Sequence, residues 1–411
     1  MLCMWNILKI KRARSTKRVY LDTAGAMPVH PEAREAFLKA LKLEGNPGAL
    51  HAEAGKAQAE LTDARKSLAE ALGVKAREIA FTSGGTEGNN LAILGLFKKL
   101  ALGGRAIGTT HWIVGAIEHP SVLECFAHIE QMGGKVTRIM PDSTGRVLAA
   151  SIAGALTDET VLVSIGWANG EIGTVQPLSA IAEALESYEK AHGTRIIFHS
   201  DAGQAPLYLF PYAHTLGVDL MTLDGGKLGS PRGVGALYVA SGTELAPLLY
   251  GGAQESGLRP GTENVALAAG FAAALSALAR MRAAESVRME GLREQLIMRI
   301  VQSAALKGAV INGSPKHHLS HIVNVSIPLI ENEYVTLALD QAGFALATKS
   351  ACKEGERASH VISAMTDASD AWRATNALRI SMGSATSLDD VERFVRSLES
   401  VILRFQAQKQ A

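Results

Sequence analysis

The segment VDLMTLDGGKLGSPRGVGALYV, residues 218–239, contains two apolar runs and, between them, a glycine-rich turn with one lysine, Lys227. Continuous apolar runs are typical of strands that are buried on both faces of a sheet. A lysine flanked by glycines at the end of such a strand can lose its hydration and serve as a Schiff-base amine. Taken alone, an exposed loop lysine is the default interpretation.

Helical and strand patterns alternate around this segment from about residue 31 to 240. The alternation predicts a mainly parallel sheet that is covered by helices on both faces, within a large domain spanning residues 31–261. The predicted strands are 78–82, 111–116, 135–140, 160–167, 195–200, 218–223 and 234–239. The predicted helices are 31–43, 56–72, 86–99, 120–132 and 178–190.

The pattern changes after the Gly/Pro-rich segment GGAQESGLRPGTEN, residues 251–264. A long helix over 262–303 is expected next; its apolar part, 265–279, is shorter than the ~20 residues of a membrane span and indicates a packed helix. We predict a small α+β domain that combines residues 19–30 with 262–406. Its further elements are strands 321–327, 344–347 and 377–382 and helices 332–341, 358–366 and 387–406.

Composition excludes several classes of protein. In 411 residues, 41 Lys+Arg oppose 40 Asp+Glu, and a net charge of +1 predicts neither a nucleic-acid nor a membrane partner. Three cysteines without paired spacing (Cys3, Cys125 and Cys352) exclude a disulfide scaffold and suit the cytoplasm. Residues 1–18 form a basic extension outside the fold, which we expect to be disordered or to reflect a misplaced start codon, with an organelle presequence as the alternative.

Two motifs place polar groups where parallel strands end, which is where open α/β sheets bind ligands. SGGTEGNN, residues 83–90, is a glycine turn entering a helix, and such a helix start favours an anion, commonly phosphate. IFHSDAGQA, residues 197–205, puts Asp201 and Gln204 just past a strand, where a carboxylate could keep a ring nitrogen protonated and an amide could bond a neighbouring oxygen. A capped helix without a ligand and an N-cap aspartate remain open alternatives.

The order of these motifs, with AIEHPSVL at 116–123 between them and Lys227 after them, resembles the class V family of pyridoxal-phosphate (PLP) enzymes. KSACKEG at 349–355 and ALRISMG at 377–383 narrow the similarity to cysteine desulfurases with a long catalytic loop, over about residues 19–405. The resemblance implies a type I PLP-dependent transferase fold, α/β in class, and a homodimer. It also implies conversion of L-cysteine to L-alanine, with the sulfur left as a persulfide on Cys352 for iron–sulfur cluster assembly or tRNA thiolation.

The resemblance also implies a role for each site residue. Lys227 would bind PLP and move the substrate Cα proton, while Asp201 would pair with the pyridine nitrogen. Cys352, with lysines nearby that favour its thiolate, would attack the substrate sulfur and could be an iron–sulfur ligand shared with a scaffold partner; no other metal ligand is predicted. The remaining implied groups are His119 on the ring as acid/base, Gln204 at the ring hydroxyl, Gly85, Thr86, Asp224 and the partner-directed Thr262 at the phosphate, and Asn169 and Arg379 at the substrate.

Three stretches depart from the family pattern. Asp224-Gly225-Gly226 precedes Lys227 in place of Ser-Gly-His, Asn169-Gly170-Glu171 stands for Asn-Asn-Glu, and residues 23–27 read TAGAM instead of NAATT. Two alternatives therefore remain beside a desulfurase. One is another class V enzyme, such as a selenocysteine lyase or an aminotransferase, and the other is a degenerate homologue that acts as a dimeric binding partner.

Overall fold

A computed structural model describes residues 18–328, 330–348 and 358–410. The predictions made for Cys352, Cys3 and the basic segment 1–17 lie outside these residues. The strands of the described part are β1 Val19–Tyr20, β2 Ile79–Thr82, β3 His111–Gly115, β4 Lys135–Ile139, β5 Thr160–Ser164, β6 Ile197–Asp201, β7 Leu220–Asp224, β8 Gly235–Val239, β9 Val310–Asn312, β10 Ile322–Ser326, β11 Phe344–Ala345 and β12 Ala377–Ser381. The α-helices are α1 Pro31–Ala40, α2 Ala52–Leu72, α3 Gly85–Leu102, α4 Pro120–Gln131, α5 Ala149–Ala155, α6 Leu178–His192, α7 Ala213–Leu216, α8 Val265–Gln302, α9 Asn332–Gln341, α10 His360–Ser363 and α11 Leu388–Gln410.

The large sheet of the described chain has seven strands in the order β2-β8-β7-β6-β5-β3-β4. Strands β3 to β7 pair in parallel, while β8 runs antiparallel to both of its neighbours. Every residue of β2, β3 and β5 is buried, as continuous apolar strands require. The predicted α/β class with a mainly parallel sheet is therefore confirmed.

Helix α8 packs against α1, α2 and α11. It begins at Val265 because the Asn264 side chain accepts a hydrogen bond from the Leu267 N–H group. By length and composition α8 could cross a membrane, but 61% of its most apolar window is buried against the rest of the chain. Packing therefore accounts for the alanine-rich run 265–279.

Two smaller sheets lie in the rest of the described chain. Strands β12, β10 and β9 form an antiparallel sheet, and β1 pairs in parallel with β11. Asp22, just after β1, bridges to Ser381 of β12. These pairings bring the residues that follow β1 beside β12; the division of the chain into two domains stays a prediction.

Several predicted boundaries are wrong. The strand predicted over 160–167 ends at Ser164, and shortly after it the Gly166 N–H donates to the Glu118 carboxylate instead of a strand neighbour. The helix predicted over 358–366 is the single turn α10. Helix α5 and strand β9 are short elements that the sequence patterns missed.

Candidate active site

A cavity of about 140 Å³ lies where the parallel strands of the large sheet end. Five loops that follow β3, β5, β6, β7 and β1, together with β12, bring its polar side chains together. The cavity is lined by six of the residues singled out from the sequence: His119, Asn169, Asp201, Gln204, Lys227 and Arg379. Residues more than 200 positions apart in the chain thus meet at the edge where α/β sheets bind ligands.

Asp201 ends β6 and stays ionised at the base of this cavity. Burial alone would raise the pKa of its carboxyl, but the Lys227 ammonium and the hydrogen bonds from Asn89 and the Gly203 N–H oppose that effect, and the net result is a lowered pKa. Asn89 of α3 donates to Asp201 Oδ2 at 2.8 Å, and the Gly203 N–H donates to Oδ1 at 2.9 Å. The site therefore has a fixed anion within it.

His119 stands at the start of α4, where its Nδ1 accepts from the Ser121 N–H at 3.2 Å. Burial and the nearby Lys227 lower the pKa of His119, so the imidazole is neutral at physiological pH. Gly203 lies between Lys227 and Asp201: a Cβ there would be 3.5 Å from Lys227 Cδ and 3.2 Å from Asp201 Oδ1. The absence of a side chain at residue 203 therefore keeps the space beside the lysine and the aspartate open.

Gln204 and Arg379 occupy the side of the cavity next to the residues that follow β1. Gln204 is 4% exposed and donates from Nε2 to the Ala24 carbonyl at 2.7 Å, whereas its buried Oε1 has no partner among the described residues. Arg379 is 2% exposed and donates from Nη2 to Asp22 at 2.7 Å. Gly170 leaves room here, since a Cβ on it would lie 3.4 Å from Gln204 Cγ.

Asn169 is held at the turn after β5. Its Nδ2 donates to the Ile117 carbonyl at 2.9 Å, and its Oδ1 accepts from the Glu171 and Ile172 N–H groups at 2.9 and 3.1 Å. These contacts use the amide to join the loop after β3 to the loop after β5. In this structure Asn169 therefore fixes the cavity wall.

The predicted phosphate end contains a carboxylate of the chain itself. Asp224 Oδ2 accepts from the Gly85 N–H at 3.2 Å, at the start of α3, and Oδ1 accepts from the N–H groups of Gly226 and Lys227 at 2.9 and 3.3 Å. Thr86, in the first turn of α3, is exposed. Thr262 is also exposed and does not line the cavity.

Glu118 is a cavity residue that sequence reasoning missed. Its carboxyl group is buried and accepts from the Gly166 N–H at 2.9 Å. A Cβ on Gly115 would lie 2.5 Å from Glu118 Oε1, and a Cβ on Gly166 would lie 2.6 Å from Oε2, so both positions must be glycine to leave room for the carboxyl group. Burial, with a contribution from the Asp201 charge, raises the pKa of Glu118 to about 8. No local pattern distinguishes it from a solvated glutamate, because the two glycines that make room for it are 51 positions apart in sequence.

Two histidines near the cavity were also missed. His199 is buried below Asp201 between the hydroxyls of Ser164 (2.8 Å) and Thr222 (3.1 Å), and burial lowers its pKa to about 4. His360 lines the cavity from α10 and donates from Nε2 to the Glu118 carbonyl at 3.2 Å. Cys125, by contrast, is buried in α4 as predicted, and burial raises the pKa of its thiol to about 12.

The residues present fit PLP. An ionised carboxylate for a ring nitrogen, a lysine beside it, an unpartnered amide oxygen and a glycine-walled space are the donor set that this cofactor needs. The phosphate end fits less simply, because Asp224 already uses the Gly85 N–H. A large α/β sheet that carries this set at its strand ends defines a type I PLP-dependent enzyme.

Residues 19–394 match the family described as aminotransferase class V, and the chain belongs to this family. It is similar to the cysteine desulfurase IscS of Dictyoglomus turgidum, with 34% identity over 388 residues that cover 94% of this chain and 95% of that protein. The cysteine desulfurase IscS of Methanosarcina thermophila is 36% identical over 390 residues, covering 94% and 92%. A solved NifS-like protein superposes with a TM-score of 0.85 at 29% identity, covering 94% of this chain and 100% of the other.

These similarities confirm the predicted fold class, the family, the dependence on PLP and the assignment to the PLP-dependent desulfurase group. They do not reach the individual residue roles, which stay predictions.

Proposed function

We propose that the protein removes sulfur from L-cysteine, releases L-alanine and carries the sulfur as a persulfide on Cys352. The observation that carries this proposal is the meeting of Lys227, the ionised Asp201 and the buried guanidinium of Arg379 around one cavity. That set provides an amine, a ring-nitrogen partner and a carboxylate clamp, which together suit an amino-acid substrate.

PLP, when bound, supplies an electron-withdrawing ring that makes the substrate α-carbon acidic. Lys227 would hold the cofactor, and its amine, once the substrate amine has replaced it, would take the proton from the substrate Cα. Asp201 keeps the ring nitrogen protonated, and Asn89 and the Gly203 N–H hold that carboxylate in place. Gln204 offers its unpartnered Oε1 to the ring hydroxyl.

Arg379 binds the substrate carboxylate, since a guanidinium provides paired N–H donors for it. Asn169 supports this end of the cavity through its contacts with Ile117 and Glu171. His119 is neutral at physiological pH, because burial lowers its pKa, and it can serve as an acid/base group for the substrate. The proton transfers of the reaction therefore take place within the cavity.

The sulfur step is a transfer between two sulfur atoms. The Cys352 thiolate attacks the sulfur of the substrate, an S–S bond forms, and the C–S bond breaks with its electron pair on the carbon side. Protonation of that carbon by the acid/base groups of the cavity, Lys227 and His119, gives the methyl group of alanine. The carbon is thereby reduced by two electrons, and the two sulfurs of the new S–S bond are each oxidised by one. A sulfur-acceptor or iron–sulfur scaffold protein then takes the sulfur.

The proposal includes a cytoplasmic homodimer in which the segment 251–264 brings Gly261 and Thr262 to the partner's phosphate site. Support comes from large apolar side chains that a monomer leaves in water, such as Leu50, Leu249 and Tyr250. It also includes the division of the chain into a large domain, 31–261, and a small domain formed by 19–30 and 262–406. Analytical ultracentrifugation of the PLP-loaded protein measures the dimer directly.

The activity is tested by recording the visible spectrum of the purified protein and then measuring alanine and sulfide after addition of L-cysteine and a thiol reductant. A yellow protein that forms both products supports the proposal. Lys227→Ala should form neither, whereas Lys190→Ala, which changes a lysine that is 72% exposed on α6, should match the parent. A colourless protein that PLP cannot reconstitute would favour a binding partner, and alanine formation that needs a keto acid would favour an aminotransferase.

A further inference from the structure

Arg379 can reach a ligand through its two terminal nitrogens alone. Nη2 donates to Asp22 Oδ1 at 2.7 Å and Nη1 donates to the Gly170 carbonyl at 3.1 Å, while Nε is buried without a partner among the described residues. A guanidinium has five N–H groups, two on each terminal nitrogen. Counting only the contacts with described residues, one N–H remains on each terminal nitrogen, at a side chain that borders the cavity.

Asp22 is an internal counter-ion at this clamp. Arg379 is 2% exposed and the Asp22 side chain 29% exposed, so the pair lies at the boundary between the cavity wall and the interior. The Asp22 backbone is fixed by its bridge to Ser381 and by the turn in which the Gly25 and Ala26 N–H groups donate to its carbonyl at 3.1 and 3.3 Å. This turn therefore holds the Asp22 carboxylate beside Arg379.

Gly25 makes room for that carboxylate. A Cβ on Gly25 would lie 2.8 Å from Asp22 Oδ2, closer than real Cβ contacts come, and 3.0 Å from Oδ1. The obstacle is the end of a flexible side chain, so an alanine at this position would be accommodated by moving the Asp22 carboxylate. Gly25 also lines the cavity. The contact between Asp22 and Arg379 therefore depends on the absence of a side chain at residue 25.

We infer that Asp22 is a positioning residue that weakens the binding of the substrate carboxylate at Arg379, and that Gly25 permits this. The inference rests on the proposed role of Arg379 as the carboxylate clamp. A ligand carboxylate that uses the remaining N–H groups comes close to the Asp22 charge, and like charges at a partly buried site repel. Asp22 thus limits the affinity for L-cysteine and its product while keeping the buried guanidinium compensated in their absence.

The test uses the PLP-loaded protein and follows its visible absorption during titration with L-alanine and, separately, with ethylamine, which is alanine without the carboxylate. Asp22→Asn should lower the dissociation constant for L-alanine by about tenfold and leave that for ethylamine within about twofold. Gly25→Ala should act in the same direction. The double variant should equal either single one, because both changes remove the same charge from Arg379.

Asp63→Asn is the matched control, since it removes one negative charge from a side chain that is 77% exposed on α2. It should leave both constants unchanged. With L-cysteine, Asp22→Asn should lower KM more than it changes kcat, a split that a merely structural role would not give.

An unchanged or raised dissociation constant for L-alanine in both Asp22→Asn and Gly25→Ala would overturn the inference. Arg379→Ala separates this failure from that of the proposed function. If Arg379→Ala weakens L-alanine but not ethylamine, the clamp stands and the counter-ion role alone is wrong. If Arg379→Ala leaves L-alanine binding intact, the clamp itself is misassigned.

Discussion

Replacing Asp224 should show whether the cofactor phosphate competes with a carboxylate of the chain. Asp224 Oδ2 accepts from the Gly85 N–H at 3.2 Å, and that N–H is one of the groups that a helix start offers to phosphate. In Asp224→Ser this donor becomes available and the negative charge disappears. A serine hydroxyl can still accept from the Gly226 or Lys227 N–H group, so the turn keeps a cap.

The magnitude follows from the charge. At about 4 Å and an effective dielectric constant of about 20, two like unit charges repel by about 4 kcal/mol. Asp224 is only partly buried, so solvent screens a large share of this; about 1.4 kcal/mol, or tenfold in the PLP dissociation constant, is the expected gain. The gain should shrink in high salt.

The assay is the loss of PLP absorbance during dialysis of Asp224→Ser, Asp224→Asn and the parent at low and high salt. Asp224→Asn preserves the side-chain shape and isolates the charge, and Asp63→Asn serves as a remote control. Both Asp224 variants should retain PLP longer than the parent. Faster loss of PLP from both would mean that the carboxylate stabilises the phosphate end, and the repulsion argument would be refuted.

Three further changes have distinct expected outcomes. Lys227→Ala should abolish the visible band of the covalently held cofactor with the far-UV circular dichroism unchanged; a retained band would move the attachment to another lysine. Cys352→Ser should bind PLP and L-cysteine but form no alanine without an added thiol. Cys125→Ser is the control and should match the parent, because burial raises the pKa of that thiol to about 12. Normal turnover of L-cysteine by Cys352→Ser would contradict the sulfur-transfer step. Glu118→Gln should flatten the pH dependence of stability, because the native carboxyl, with its pKa raised to about 8 from an ordinary 4.5, keeps a proton that the unfolded chain releases. The stabilisation that this group gives the parent should therefore be complete below pH 4.5 and be lost as the pH rises to 8. In urea unfolding, the free energy of unfolding should fall by at most roughly 1.4 kcal/mol per pH unit in that range. An equal slope in the variant would rule out a buried protonated Glu118.

The parallel sheet was predictable because its strands are buried on both faces, and a continuous apolar run such as that of β5 leaves little ambiguity. The short elements were not. Strand β9 has three residues, and α5 has seven with a single fully buried side chain, so neither carries a repeated pattern. Both elements form through contacts with residues that are distant in the chain, and the sequence alone does not predict those contacts.

The same contrast holds at the site. Lys227 directly follows two glycines and Asp201 lies two residues before Gly203, both at strand ends, and the order of these motifs along the chain is what singles them out. Glu118 and Asp22 depend on contacts across the fold: one carboxyl needs the space left by Gly115 and Gly166, and the other needs Arg379, 357 positions away. Such partnerships depend on tertiary packing, and no periodicity in the sequence encodes them.

Asp22 and Asp224 are carboxylates of the chain that contact the groups proposed to bind two different anions. One carboxylate contacts the guanidinium proposed for the substrate carboxylate, and the other contacts the helix start proposed for the phosphate. The substrate carboxylate would therefore be repelled by Asp22 and the cofactor phosphate by Asp224, and salt should screen and weaken both repulsions. Because the two carboxylates contact different groups, Asp22→Asn should change L-alanine affinity without changing PLP retention, and Asp224→Ser should do the reverse. Effects that add in the double variant would identify two separate counter-ions, whereas strong coupling would mean that the substrate and phosphate ends respond as one electrostatic unit.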